Sequence, residues 1–296
     1  MLLMEERFPH KEKLMDTFEL WSYDVSGALG KYAEHTYIKC PDKGTYFDCW
    51  GNHQSPTEGA GIRRFSCEGI YEVADCYRKD IFGIKDTAGI GVYGVNGVCH
   101  QTANLFLYSS GRAITIADGV KGYWLSSLAY GTYGDLGPFD EPLKPVFVED
   151  WKLTVYNPCY QRYTGAKGMG NELFQIIAKL HKTVVREEIN ISHAELVHQE
   201  ASVLAKQVLP DLKTDLFKDI HITFLEKKLD LIRAGFKGEE LSNKINETAA
   251  QFQISLAQTI GTVAYEKLTG LKAGQTLNII DPATTAKVAQ EQKNEE

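Results

Sequence analysis

The chain has 296 residues, 43% of them hydrophobic and 24% charged, with a formal net charge of −7. That length is ample for one large domain or two smaller ones with a sizeable core. Its modest acidity argues against a general nucleic-acid binder, which usually carries a basic patch, and the absence of any apolar window of about 18 residues argues against a membrane span.

The first residues, MLLMEERFPHKEKL, set acidic side chains beside a very short apolar run and lack the apolar core of a signal peptide. Residues 1–20 read as a charged, weakly amphipathic lead, one helix. The six cysteines (Cys40, Cys49, Cys67, Cys76, Cys99 and Cys159) are then expected to be reduced thiols in a cytoplasmic protein. All six precede residue 160, which points to two unlike halves.

From Trp21 to Pro158, short β-prone runs alternate with Gly, Pro, Asn and Asp clusters. His35 to Cys40 predicts a strand, Pro41 to Gly44 a turn, and Thr45 to Trp50 the returning strand of a hairpin. Gly51 to Gly61 reads as a polar loop. Ile70 to Arg78 predicts a short helix with Glu68, Glu72 and Asp75 at its acidic start. Ala113–Ala117 and Val146–Val155 read as strands. Gly119 to Phe139, rich in glycine and aromatics, reads as a close-packed helix or a substrate-lining segment.

The stretch Gly89 to Ser110 carries the strongest chemical signal. Gly89 to Val95 alternates glycine with apolar residues, Asn96-Gly97 is a turn signal, and Gln101 to Tyr108 suits a short buried helix. Cys99 therefore falls in the first turn of a helix. Free backbone N–H groups and the positive end of the helix dipole favour an anion there. They lower a thiol pKa, enrich the reactive thiolate, and can hold an oxyanion during acyl transfer. A thiol with pKa about 8.5 also needs a base, usually an imidazole. His35, His53 and His100 are the candidates. His100 directly follows Cys99, and adjacent helical side chains diverge by about 100°, so it is poorly placed to take the proton. His35 opens a strand, and Asp48 on the paired strand is placed to orient its imidazole. Asn52 and His53, just beyond, are alternatives.

The strand-borne His35-Thr-Tyr-Ile, then Asp48-Cys-Trp-Gly, then Gly97-Val-Cys99-His at a helix start resembles the circularly permuted NlpC/P60 branch of papain-like enzymes. The likeness spans roughly residues 30–130. It implies a papain-like α+β fold, antiparallel sheet plus helix, and a Cys–His pair acting on amide or ester bonds as peptidase, amidase or acyltransferase. No cofactor is expected. The 64-residue separation of His35 and Cys99 is filled by a loop-rich insertion, and the C-terminal half lies outside the likeness.

Other residue sets carry weaker signals. Gln101 and Asn104 read as helix-facing hydrogen-bonding groups, and Tyr123 and Trp124 as aromatic core. Cys40, Cys49, His53, Cys67 and Cys76 include zinc-ligand types but lack the close pairs of structural zinc sites. Glu195 and His198 form one E-x-x-H pair where a di-iron bundle needs two. Gly89-x-Gly-x-x-Gly94 runs on into more glycine and asparagine rather than into the helix that a dinucleotide site requires. No metal is expected.

Past Gly170 the apolar spacing becomes helical. Leu173, Ile176, Ile177, Leu180 and Val184 open the pattern. A second helix runs to about Val208, with Ser192 as N-cap and Glu195 completing a capping box. Pro210 interrupts, Leu212 to Ala234 form another helix ended near Gly235, and Leu241, Ile245, Ala249, Phe252, Leu256, Ile260 and Val263 make one long stripe closed by Gly270. Residues 283–296 have almost nothing to bury and read as disordered. The expected organisation is thus a catalytic α+β part over 1–165, a helical hairpin or bundle over 166–282, and a tail. The expected activity is thiol-dependent hydrolysis or acyl transfer on a small-molecule or peptide substrate. The alternatives are a non-catalytic scaffold, assembling as a homo-oligomer or binding a partner through the C-terminal stripe, and a metal-binding protein.

Overall fold

Phe18 and Leu20 alternate with Glu19 and Trp21, a period of two that places opposite chemistry on opposite faces of a strand. The computed structural model describes residues 15–25, 30–47, 61–69, 71–76, 94–95, 97–109, 119–132, 134 and 192–280. In it Asp16–Asp24 is strand β1, not the end of a leading helix as the charge pattern suggests. The β-branched and aromatic content of this run outweighs its charges. β1 is central in a four-stranded antiparallel sheet with β2 (Glu34–Cys40), β3 (Thr45–Phe47) and β4 (Ile62–Gly69), in the order β3-β2-β1-β4. The expected hairpin is present: a short 3₁₀ turn at Pro41–Lys43 ends on Gly44 at φ 61°, and Ile38 pairs with Phe47. β4 has no clear mark in the sequence, because Arg63-Arg64 interrupts the apolar alternation that would reveal it.

The two faces of the sheet differ. On one, Phe18 stacks on Phe47, and Phe47 lies 4.7 Å from Phe106, ring centroid to centroid, on helix α2 (Cys99–Ser109). On the other, Tyr23 meets His35, Trp21 meets Tyr37, and Lys39 stands over the rings of Trp21 and Tyr46. A short helix α1 (Tyr71–Cys76) follows β4 where the sequence places one, and α3 (Tyr123–Tyr130) forms within the glycine- and aromatic-rich segment. All eight residues of α3 are buried, as an apolar helix without a polar face requires.

The C-terminal half is helical as expected: α4 (His193–Val208), α5 (Lys218–Arg233), α6 (Gly238–Ile260) and α7 (Thr262–Thr269). The Ser192–Glu195 capping box opens α4, with both reciprocal hydrogen bonds made. Phe224 of α5 stacks on Phe252 of α6 at 4.7 Å. The long stripe is cut by Gly261 at φ 86°, so Leu241 to Leu256 are buried while Val263 is 79% exposed on α7. The buried part of the stripe is occupied within the chain. Leu241 and Ile245 pack on Val95 and Ile280, and Asn246 and Gln253 exchange paired hydrogen bonds with the backbone of Ile280 and Leu277.

The boundary expected near residue 165 lies outside the described residues, as do the expected elements at 113–117, 146–155 and 173–184 and the tail at 283–296. Most of the described core is one buried apolar cluster, from Phe18 through Phe106 and Leu128 to Val197, Phe224 and Leu256, beside the smaller group of Val95, Leu241, Ile245 and Ile280. α3 is its centre. Its last carbonyls, which no helical N–H can reach, accept from the bundle: His221 Nε2 donates to Leu128 O at 2.7 Å and Lys228 Nζ donates to Ala129 O. A cation is favoured at that end of a helix, and Lys228 also stands over the Tyr130 ring. Gly131 then leaves the helix at φ 69°, where a Cβ would come within 3.0 Å of Val197. Among the described residues no helix is long and apolar enough to cross a membrane.

His221 generates a pH prediction. Its Nε2 must carry a proton to bond Leu128 O, so its Nδ1 accepts from His198 Nδ1 at 3.1 Å. Burial, with His198 and Lys228 close by, holds its pKa down to about 3 in spite of the Leu128 hydrogen bond. The unfolded chain, with an ordinary imidazole, takes up a proton near pH 6.5, so stability is complete above that pH and falls as the pH drops toward 3. The slope attributable to this one group is at most about 1.4 kcal/mol per pH unit. Urea denaturation of wild-type and His221→Gln protein between pH 7 and 4 should show a shallower slope in the variant, and equal slopes would refute the assignment.

Candidate active site

Val98 is the N-cap of α2: its carbonyl accepts the first helical bond, from Thr102 N at 3.1 Å, and its own N–H donates to Gln101 Oε1 at 3.1 Å. Gln101 at the third helical position thus makes the return half of a capping box. The backbone N–H groups of Cys99 and His100 belong to the first turn, where no intrahelical acceptor exists. Just before, Gly94 N donates to Gly97 O at 2.7 Å, closing the turn that the Asn96-Gly97 signal predicts.

This helix start meets the side of β2. β3 pairs with Ile38, Lys39 and Cys40, and α2 meets the same edge further up, at Glu34 and Thr36. Glu34 O lies 3.0 Å from His100 Nε2 and 3.9 Å from the Cys99 sulfur, and the Thr36 N–H is directed at the same sulfur. His35, between those two residues, hydrogen-bonds the thiol with its imidazole and packs against the Tyr23 ring at 5.2 Å. Cys99, His35 and His100 are all buried, at 5%, 8% and 3% exposure.

Burial alone would push the Cys99 thiol up. The imidazoles of His100 and His35, the His35 hydrogen bond and the Thr36 N–H outweigh it, and the thiol lies well below its ordinary range. Cys40 is the internal contrast: buried in the same sheet without an imidazole beside it, it is raised to about 11, chiefly by burial. Apolar context in the sequence cannot rank these two thiols. The helix-start signal at Gly97-Val-Cys99 can.

The end of β2 is fixed by its own first residue. The Glu34 carboxylate, 5% exposed, accepts from Arg64 Nη2 at 2.6 Å to each oxygen, from Lys121 N at 3.1 Å and from Ser22 Oγ at 3.4 Å. Glu34, Arg64 and Ser126 carry no signal in the sequence. Glu34 stands beside a candidate base, but nothing in one sequence reports that a carboxylate at a strand start will be buried on an arginine two strands away.

Of the expected site residues, the structure brings Cys99 and His35 together. Asp48, Asn52 and His53 lie outside the described residues. His100 has both ring nitrogens engaged, Nε2 by Glu34 O and Nδ1 by Ser126 Oγ at 2.8 Å. Burial pulls its pKa down, against the opposing influence of Cys99 and the Glu34 carbonyl. Gln101 and Asn104 brace α2 to the end of α3 through Gly131 O and Thr132 O, and Tyr123 and Trp124 are core. Glu195 serves the α4 cap and His198 serves His221. Among the described residues no group of three or more His, Cys, Asp or Glu side chains is placed to hold a metal ion. Cys49, His53 and Gly89–Gly91 lie outside those residues, and of the Gly-x-Gly-x-x-Gly pattern only Gly94 is described, in a turn.

No known family model, no curated protein and no solved structure matches this chain.

The Glu34 network makes a direct prediction. Glu34→Gln keeps the shape but removes the charge that two of Arg64's short contacts depend on, and should cost about 1–3 kcal/mol of stability. A urea midpoint unchanged from wild type would show that this carboxylate does not anchor the strand end.

Proposed function

We propose that the protein is a thiol-dependent acyl-transfer enzyme in which Cys99 is the nucleophile and His35 the general base, built on a papain-like arrangement of the permuted NlpC/P60 type. The observation that carries the reading is the convergence on one sulfur of a helix start, the Thr36 N–H and the His35 imidazole. A helix N-terminus lowers a thiol pKa by itself, and a hydrogen-bonded imidazole supplies the proton acceptor that attack requires.

The chemistry runs in two halves. Cys99 sulfur attacks the carbonyl carbon of an amide or ester, and His35 holds the thiol proton and returns it to the leaving amine or alcohol. The first-turn N–H groups of α2 are the donors available to the tetrahedral oxyanion. Water, or a second nucleophile, then gives up a proton to His35 and resolves the acyl-enzyme as hydrolysis or transfer. The substrate is a small-molecule or peptide amide or ester. Asp48 is the proposed partner of the His35 imidazole. A reducing, cytoplasmic setting fits a site whose thiol must stay free, and Cys40, Cys67 and Cys99 are all free thiols.

The test is acylation by an activated ester such as p-nitrophenyl acetate, followed by intact mass and peptide mapping. One acetyl group is expected on Cys99 and none in Cys99→Ala, which should fold normally. His35→Ala should lower the acylation rate roughly 100- to 10,000-fold, the usual contribution of a general base. Acylation that spreads over the other cysteines at rates matching Cys99, or that survives in Cys99→Ala, would overturn the proposal.

A further inference from the structure

Two imidazoles, not one, border the Cys99 sulfur, and the second is held in a way that the base mechanism does not use. His100 lies between the edge of β2 and α3, with the Tyr123 ring edge-on at 5.6 Å. A carbonyl only accepts, so the bond from Nε2 to Glu34 O at 3.0 Å places a proton on Nε2. Nδ1 faces Ser126 Oγ at 2.8 Å. That hydroxyl has one proton and two places to put it, Nδ1 or Tyr123 O at 2.9 Å, and it also receives Gln101 Nε2 at 3.4 Å.

The hydrogen-bond inventory therefore closes in two ways. With neutral His100, Ser126 donates to Nδ1. With imidazolium His100, Nδ1–H donates to Ser126 Oγ, and the hydroxyl turns to Tyr123 O. No donor is stranded in either arrangement, and no heavy atom need move. What sets His100 apart from His221, whose Nδ1 faces another imidazole, is that its Nδ1 faces a hydroxyl and its ring borders the Cys99 sulfur.

We propose that His100 is the charge partner of the Cys99 thiolate, a positioning residue that acts through the sulfur and never touches substrate, with the Ser126 hydroxyl as the rotor that lets it hold one proton or two. The balance is simple: the sulfur loses one proton, Nδ1 gains one, and the buried pair stays neutral overall. The pair is a resting-state device: when the thioester forms the sulfur's charge is lost, and the proton held by the pair leaves through His35 to the departing amine or alcohol. This rests on the reading of Cys99 as the reactive thiol. The other charged and titratable groups around His100 are Glu34, already paired with Arg64 and Lys121 N, together with His35 on β2 and Tyr123 on α3.

The experiment is the pH profile of Cys99 alkylation by iodoacetamide, read by peptide mass, in the full-length protein. His100→Gln can still donate to Glu34 O but can never be charged. Its reactivity at pH 6 should fall about tenfold or more, one unit of thiol pKa, while the plateau rate at high pH is kept. Ser126→Ala, which removes the acceptor for Nδ1–H, should shift the profile the same way, and Ser126→Thr should restore it. Burial favours a neutral His100 and the thiolate opposes it, so His100 ring signals in NMR that show an imidazolium at pH 7 in the wild-type protein, and a neutral ring in Cys99→Ser, are the expected mark of the charge pair. A wild-type profile in His100→Gln, or a neutral His100 at a pH where Cys99 is ionised, would overturn the proposal. Should the shifted profile appear while no acyl adduct forms on Cys99, the charge-partner assignment stands and the enzyme reading falls. An adduct with no shift keeps the enzyme reading and removes the charge partner.

Discussion

The contact on which the rest depends is the meeting of the α2 start with one backbone carbonyl, Glu34 O. Two neighbouring side chains of the helix, Cys99 and His100, are directed at that single oxygen, and the residue that carries it is immobilised by its own carboxylate on Arg64 and on the backbone before α3. A strand edge is normally an unpaired row of N–H and C=O groups. Here the helix satisfies part of that row and, in doing so, brings a sulfur up to an imidazole from the adjacent residue of the strand. Neither group would find the other without the edge contact, because His35 and the apolar residues that pack on α2 lie on opposite faces of β2.

The same contact explains why Cys40 on β2 and Cys99 on α2 differ. Cys40 and Cys99 are both buried, and burial favours the neutral thiol in each. Cys99 differs in having N–H groups and ring nitrogens arranged around it. That is a property of the chain trace, not of hydrophobic context, and it separates a thiol held below its ordinary range from one pushed above it.

Much of this is legible in the residues, for physical reasons that can be named. The helix start at Cys99 is visible because a turn dipeptide and a following apolar run are local signals. The β2–β3 hairpin and the Ser192 capping box are visible for the same reason, since each is closed by residues a few positions apart. β1 reads as helix because its charges mask an alternation that only the partner strands make meaningful. The break at Gly261 is hidden inside a stripe that continues in register on either side of it. Least legible are Glu34, Arg64 and Ser126, whose roles arise from contacts of 25 or more residues in separation. Side-chain type alone says that such groups are usually on the surface.

α3 has a further consequence, which concerns the order in which the chain is made. Cys99 and the two imidazoles beside it are all synthesised within about the first third of the sequence. Yet the helix that carries Ser126 has its last carbonyls satisfied by His221 and Lys228, and its Tyr130 hydroxyl is shared between Gly94 O and Ile279 O. A nascent chain that has reached residue 130 therefore holds Cys99, His35 and His100 but not the helices that fix α3. The surroundings of Cys99 are complete only once α5 and residues 277–280 have joined α3, so a site whose residues come early in the chain is assembled late.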